Sequence, residues 1–407
     1  MNLTLRIFLA LLAGLVVGAL LPADIGTPLL PVTDAIGNLW LQALQMTIIP
    51  LIAGLLFTGI AQSVGQAGGG TLAGRALLAF FLLLVFSAGW SMISVPLLLD
   101  WWPAPAASAA AIVASSAATA APAGDIKIDL GQWLLSLVPA NIFDSLAKGD
   151  MLPVVTFIAV FALAATRLDD DRRHNLVNLF DAVKDAMLVL VGWIFVVAPL
   201  GVFALAVSVG IKAGLGAFGL LGHYIAVLVL VQVGLIILVY PLAVIFGRVG
   251  PLAFARAALP AQAVAVSTQS SIASLPAIFD GAERLGLPEA TSRVVLPLAV
   301  SIFRITSPCA NVAVVLYCGH LYGMEHSALA FLGALLAALV AAVSTGGLPG
   351  SITFLAACVP IANAMGVPIA VLPVLLAVEL VPDVFRTLGN VTADLAVTAI
   401  LGRDRIR

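Results

Sequence analysis

Apolar runs of bilayer-crossing length, separated by short polar breaks, occupy nearly the whole chain. A helix needs about 20 predominantly apolar residues to cross a hydrocarbon core. Runs of that order lie at Leu5–Leu21, Leu39–Gln62, Arg75–Leu99, Asp181–Val209, Leu220–Phe246, Thr291–Tyr322 and Val367–Leu401. A further region, Leu130–Ala165, is interrupted by Val138-Pro139-Ala140-Asn141 and again by Lys148 to Pro153. Two segments read differently. Leu252–Phe279 is broken by Ser267-Thr268-Gln269-Ser270-Ser271 and Leu275-Pro276, leaving neither half long enough to span. Ser327–Ala364 is broken in the same way at Ser344-Thr345-Gly346-Gly347-Leu348-Pro349-Gly350. The pattern predicts an all-α polytopic membrane protein with eight transmembrane helices and two re-entrant helical hairpins.

Other stretches qualify this layout. The first run follows a short start and resembles a signal peptide, but Leu21-Pro22-Ala23-Asp24 is a poor cleavage site, so it reads as the first span. Asp100–Gly124 is rich in Ala, Ser and Pro, a composition that suits a flexible loop. Arg167–His174 is a charged loop. The last third hints at duplication, since Leu275-Pro276 is echoed by Leu348-Pro349, and Val295-Leu296-Pro297 by Val371-Leu372-Pro373.

Composition agrees with the pattern. The chain of 407 residues is 62% hydrophobic and 9% charged, against about 25% charged in soluble domains. A net charge of −2 argues against nucleic acid as a partner. Cys309, Cys318 and Cys358 stand in apolar context, and the four histidines are scattered, so neither a metal site nor a cofactor is expected. Most of the 18 Lys+Arg fall at the N-terminus, in the 64–75, 167–184, 248–256 and 284–293 stretches, and in the C-terminal tail. By the positive-inside rule these are cytoplasmic, which puts both termini inside a cell (inner) membrane. Arg304 and Arg386 remain at membrane depth.

The candidate chemistry concentrates in Glu379-Leu-Val-Pro-Asp-Val-Phe-Arg-Thr-Leu-Gly-Asn-Val-Thr-Ala-Asp394. At about 100° per residue, Glu379, Asp383, Arg386, Thr387, Asn390 and Asp394 share roughly 100° of one helix face. Ionisable groups in a membrane helix face a bundle interior or an aqueous cavity. A structural ion-pair stripe between packed helices is the alternative. The hairpin tips supply the rest. Their unpaired backbone groups are tolerable only where protein or a cavity satisfies them, and helix N-termini attract carboxylates. Ser270 and Ser271 add hydroxyls; Gly346, Gly347 and Gly350 permit close approach of a ligand and hinging. Arg386 suits a carboxylate in a fork, and Asp383 an ammonium. The combination matches a small zwitterion with an extra acid, aspartate or glutamate. A pure dicarboxylate requires Asp383 to be protonated.

The chain resembles the dicarboxylate/amino acid:cation symporter family over nearly its whole length. The resemblance rests on Val138-Pro139-Ala140-Asn141-Ile142-Phe143 with Leu152-Pro153, on Ala198-Pro199-Leu200-Gly201-Val202-Phe203-Ala204-Leu205, and on Ser270-Ser271 with Leu275-Pro276. Thr345 to Gly350 and Asp383-x-x-Arg386-Thr387-x-x-Asn390-x-x-x-Asp394 complete it. It implies a homotrimer built from inverted repeats, in which a transport domain slides past a trimerisation scaffold as an elevator. Scaffold helices are then expected at 1–72 and 131–212, and transport-domain segments at 73–99, 213–250 and 251–407. A flexible extracytoplasmic loop at 100–130 joins them. By the same resemblance, Asp383 matches the residue that binds a substrate amine, Arg386 the side-chain carboxylate and Asn390 the backbone carboxylate, while Asp394 matches a sodium ligand. Ser270, Ser271, Thr345, Gly346, Gly347, Pro349, Gly350 and Thr387 complete the expected substrate site.

The chain also departs from the family. Phe303-Arg304-Ile305-Thr306-Ser307 stands where the family carries a sodium-binding Asn-Met-Asp-Gly-Thr, and Phe81, Leu84 and Val85 align with its Tyr, Thr and Ser. A hard cation needs oxygen ligands, so this sodium site is expected to be absent. Gln269 replaces an Arg of archaeal relatives, and Ile272 interrupts the usual serine run. A central arginine costs about 2.5–3.5 kcal/mol to insert, so Arg304 needs a partner. It can act as a tethered cation paired with Asp394 or Glu379, contact the substrate carboxylate, or form a structural bridge. Without sodium, the driving ion is expected to be a proton, with Glu379 and Asp383 as carriers. Uncoupled exchange, a C4-dicarboxylate or neutral amino acid substrate, and a non-transporting sensor or anion channel are the alternatives. No Ser/His pair or paired catalytic carboxylates suggest an enzyme.

Overall fold

The computed structural model describes residues 3–66, 71–116, 135, 138–148, 151–214, 216–344 and 350–402. Every regular element among them is helical. In chain order these are α1 (Leu3–Leu20), α2 (Ala23–Gln66), α3 (Thr71–Trp101), α4 (Ala106–Ser116), α5 (Ile142–Lys148), α6 (Met151–Ala165), α7 (Asp170–Ala213) and α8 (Gly216–Gly247). They continue with α9 (Pro251–Thr268), α10 (Ser271–Arg284), α11 (Glu289–Ile302), α12 (Thr306–Leu321), α13 (Ala328–Ser344) and α14 (Gly350–Met365). A 3₁₀ turn, Ile369–Val371, leads into α15 (Leu372–Leu376) and α16 (Leu380–Gly402). Six stretches are long and apolar enough to cross a membrane: Asp24–Ala61, Gly74–Trp101, Asp170–Lys212, Gly216–Gly247, Glu289–Leu321 and Leu380–Gly402. Leu9–Leu20, Pro153–Ala165, Ala328–Val343 and Thr353–Met365 are shorter apolar helices.

The helices gather around two long partners. α1 and α2 pack along α7, and α6 joins them against α2. α16 packs on α8 and is flanked by α9, α10 and α11, while α3 lies against α12. The α1–α7 contact is a close approach of backbones. Gly14 on α1 faces the Phe203 carbonyl and Ala206, and Gly210 on α7 faces the Leu15 carbonyl. In lipid, where apolar side chains gain little by leaving their solvent, such small-residue seams let van der Waals packing hold helices together.

α9 and α10 pack against each other across a two-residue turn, Gln269 and Ser270, and so form the first hairpin expected from the sequence. Gln269 occupies left-handed backbone space (φ 52°), which reverses the chain without a glycine. α13 and α14 pack together in the same manner. Of their connection, residues 345–349, with Thr345, Gly346, Gly347 and Pro349, lie outside the described residues.

Several elements differ from the apolar pattern: residues 170–174 of the expected charged loop belong to α7, and Leu275-Pro276 lies within α10. The stretch expected to be a flexible loop contains the helix α4, because alanine has the highest intrinsic helix propensity and here packs against α7 and α8. The expected continuous span Thr291–Tyr322 is instead two helices, with Phe303 extended (φ −96°, ψ 93°) between them. The expected Val367–Leu401 span is likewise broken, at Ala377-Val378-Glu379. Broken helices at membrane depth persist only where something satisfies the freed backbone. Here the Ser87 hydroxyl donates to the Ile305 carbonyl, and the Thr306 N–H donates to Asn390 Oδ1 at 3.1 Å.

The small-residue seam is open to test. Gly14→Val drives a side chain into the Phe203 carbonyl, about 2.6 Å from a Cβ at that position. Overpacking of this kind costs about 1–3 kcal/mol, so the variant should unfold at a lower temperature in detergent than Gly89→Val, at a glycine with open space around it.

Candidate functional site

The two helix breaks meet. Glu379 ends the turn before α16, and Arg386 lies two turns along that helix, so their side chains project to one side. Arg386 Nη2 donates to Glu379 Oε2 at 3.0 Å, and both side chains are about 4% exposed. The other Glu379 oxygen accepts the Tyr224 hydroxyl of α8 at 2.7 Å. Arg386 Nη1 is 3.4 Å from Asn311 Oδ1 of α12, and Asp383 approaches Arg386 Nε at 3.9 Å without a hydrogen bond. The guanidinium is therefore held by α16, α12 and the turn ahead of α16, with one edge left without a bonded acceptor among the described residues.

One turn further, Asn390 ties α16 to the start of α12. Its Oδ1 accepts both the backbone N–H and the hydroxyl of Thr306, the latter at 2.8 Å. That hydroxyl also lies 2.8 Å from the Arg386 carbonyl. The approach depends on Gly389, where a Cβ would meet Thr306 and Ile236. Asn390 Nδ2 is buried and has no hydrogen-bond partner among the described residues, and neither has either oxygen of Asp394, one turn on and fully buried. Thr387 is buried, its hydroxyl donating to the Asp383 carbonyl at 3.1 Å.

Arg304 sits in the break between α11 and α12, within electrostatic reach of Asp383, Asp394 and Arg386. Of the two acids expected to pair with it, Glu379 is taken by Arg386 and Tyr224, because those donors sit on the same turn and the facing helix. Asp394 is in range but its oxygens form no hydrogen bond among the described residues. Around this break the packing is aromatic: Phe303 stacks on Phe80 with ring centroids 4.7 Å apart. The α3 face turned inward carries Phe80, Leu84 and Ser87, while Phe81 is 53% exposed; the residue aligned from sequence is one position off the buried face.

At the first hairpin tip, Ser270 caps its own helix: its Oγ accepts the Ala273 N–H at 3.2 Å. Ser271 is half-buried beside it, at the start of α10. α9 reaches α16 through Gln262, whose Nε2 donates to Thr392 Oγ1 at 2.9 Å. Gly350 opens α14, and the rest of that tip lies outside the described residues. Tyr224, Asn311 and Thr306 were not singled out from sequence. Only the register of each against another helix reveals its role.

Comparison with known proteins supplies the context. The model of the Sodium:dicarboxylate symporter family matches residues 3–404. The chain is 26% identical over 411 residues (99% of this chain, 92% of the relative) to the proton/sodium-glutamate symport protein of Bacillus subtilis (strain 168). It is 28% identical over 276 residues (66% of this chain, 61% of the relative) to the proton/glutamate-aspartate symporter of Escherichia coli (strain K12). It is 24% identical over 411 residues (99% of this chain, 93% of the relative) to the C4-dicarboxylate transport protein of Bacillus subtilis (strain 168).

The buried ion pair gives a measurable consequence. Removing one member of such a pair costs about 3–5 kcal/mol, because the survivor stays buried without its counter-charge. Glu379→Ala should therefore lower the thermal unfolding midpoint markedly. Tyr224→Phe, which removes one hydrogen bond to a charged group worth about 1.5–3 kcal/mol, should lower it less. Equal midpoints for Glu379→Ala and the parent protein would mean that the pair does not form.

Proposed function

Because the chain belongs to the Sodium:dicarboxylate symporter family, a family of multi-pass membrane transporters and not enzymes, we propose that it is a secondary active symporter of acidic amino acids such as aspartate and glutamate, driven by protons without sodium. The observation that carries this reading is the Glu379–Arg386 pair. Glu379 holds Arg386 as a substrate carboxylate would. Two carboxylates cannot share one guanidinium at low cost in a dry site. A proton on Glu379 weakens its hold on Arg386 and lets an incoming carboxylate take its place, so substrate and proton enter together. Asp383, near the free edge of Arg386, then receives the substrate ammonium. Asn390 Nδ2 offers a donor to the second carboxylate. The substrate site thus comprises Asp383, Arg386, Thr387 and Asn390 with the two hairpin tips.

Sodium independence draws on the break between α11 and α12. Phe303, Phe80, Leu84 and Ile305 fill it with carbon, not oxygen. Arg304 supplies a fixed positive charge in reach of Asp394, the role a bound cation would otherwise fill. A C4-dicarboxylate is the second reading. It is favoured by this same second guanidinium and by the likeness to a C4-dicarboxylate transport protein.

The helix packing supports an elevator. α1, α2, α6 and α7 form one group, the scaffold, and α3 with α8 to α16 form the transporting group. The second hairpin runs along α2 and α6, where sliding would occur. The working unit is a homotrimer in the inner membrane with both termini cytoplasmic, in keeping with the distribution of basic residues.

Uptake into proteoliposomes tests this. Labelled aspartate should accumulate under an inward proton gradient in sodium-free buffer, and Arg386→Ala should abolish it. Glu379→Gln should keep exchange of internal for external aspartate while losing accumulation driven by the gradient. Uptake that requires sodium, or that follows the proton gradient unchanged in Glu379→Gln, would overturn the coupling scheme. Uptake of succinate in preference to aspartate would select the second reading.

A further inference from the structure

A second buried titratable group lies beyond the substrate site. His223 is on α8, next to Tyr224, and is 4% exposed. Both its ring nitrogens are engaged. Nε2 is 3.0 Å from the carbonyl oxygen of Trp102, just past the end of α3. A carbonyl only accepts, so this nitrogen carries a hydrogen. Nδ1 is 2.9 Å from the Tyr317 hydroxyl of α12, and that hydroxyl is also 3.3 Å from the Leu220 carbonyl.

Tyr317 has one proton and two places to direct it. With a neutral imidazole, the hydroxyl donates to Nδ1. With a protonated imidazole, Nδ1–H donates to the hydroxyl oxygen, and the hydroxyl turns to the Leu220 carbonyl. Either state leaves every polar atom of the cluster bonded, so a proton arrives without the penalty of a buried unsatisfied group. A histidine kept only to tie helices together needs one of these arrangements, not both. The Trp102 carbonyl also belongs to a helix C-terminus, whose partial negative charge favours an imidazolium.

The cluster has an outer and an inner side. Outward, His320 is half-buried, and it lies within electrostatic reach of both His223 and the exposed Asp100. Inward, the Tyr317 ring meets the Tyr224 ring edge-on with centroids 5.1 Å apart, and the Tyr224 hydroxyl holds Glu379. Around His223 stand Tyr317 and the Trp102 carbonyl in contact, His320 of α12 within electrostatic reach and itself in reach of Asp100, and Glu379 through Tyr224. α4 brings no charged side chain, Lys212 at the end of α7 is turned to Asp34, and α9 meets α8 at the Tyr240 end through Gln262.

We propose that His223 is a second proton-binding site, separate from Glu379 and loaded from the water at the end of α3. Its proton switches the Tyr317 hydroxyl from the imidazole to the Leu220 carbonyl. This goes beyond the transport scheme, since it requires neither a particular substrate nor a proton on Glu379.

Nitrogen NMR of the full-length protein in detergent, labelled at histidine, tests it directly. The chain has four histidines, and His223→Gln identifies the signal by its loss. If that variant does not fold, single replacements of His174, His320 and His326 identify it by elimination. As the pH is lowered, the signal should pass from the neutral, Nε2-protonated tautomer to the doubly protonated ring. Tyr317→Phe keeps the Trp102 contact but removes the acceptor for the second proton, so it should need roughly tenfold more acid. A ring that stays in one neutral tautomer throughout, or a Tyr317→Phe protein that titrates like the parent, overturns the proposal. Glu379→Gln run in parallel separates the two sites: the His223 titration persists there even if Glu379 proves not to be the carrier of the transport step.

Discussion

A guanidinium buried at membrane depth must be neutralised close by, and in this chain that demand falls on Glu379, 3.0 Å from Arg386. Much of the surrounding architecture follows from it. The acid needs its second oxygen satisfied, which brings Tyr224 and so α8 against the turn ahead of α16. The remaining face of the guanidinium draws Asn311 and so α12. Isolated, each of these polar groups would be costly in an apolar bundle; joined, they fix the register of three elements against one another. An ion pair inside the protein is also a competitor for any external carboxylate, so the contact that orders the site can regulate its occupancy.

Helix breaks do the positioning. A continuous helix satisfies its own backbone and has nothing to offer a ligand. By stopping α11 at Ile302 and restarting at Thr306, the chain exposes a helix N-terminus that Asn390 meets from α16. Gly389 makes the approach possible, since any larger residue would strike Thr306. The same break holds Arg304, with Phe303 stacked on Phe80 beside it. Charge there is covalently attached to the protein and lies beside two stacked aromatic rings.

Polar residues away from the Glu379–Arg386 pair follow the same logic. His223 and Tyr317 bridge α8, α12 and the end of α3 through a cluster that accommodates either state of the imidazole. It adjoins the Tyr224–Glu379 contact through an edge-on pair of tyrosine rings. Two polar clusters thus adjoin, one around Arg386 and one at the end of α3.

Much of this was legible along the chain itself. Long apolar runs announced membrane helices, the polar run Ser267-Thr268-Gln269-Ser270-Ser271 announced an interruption between two short ones, and the spacing of Glu379, Asp383, Arg386, Asn390 and Asp394 put them on one face. Such features are local: hydrophobic length and helical period act within a single element. Other features needed the fold. Composition suggested a loop where α4 forms, because alanine suits both a helix and a linker until neighbours decide. Hydropathy did not reveal the breaks at Phe303 and before Leu380, since the runs that contain them stay apolar on average even with Arg304 and Glu379 at the breaks. Nor did order along the chain indicate which acid Arg386 holds, that Phe80 and not Phe81 faces inward, or that Tyr224, Asn311 and Thr306 belong to the site. Those are matters of which face of one helix meets which face of another. Sequence determined the helices and the polar stripe, because both arise from residues a few positions apart; tertiary structure alone decided the partners, because a buried charge is satisfied across space by residues far away in the chain.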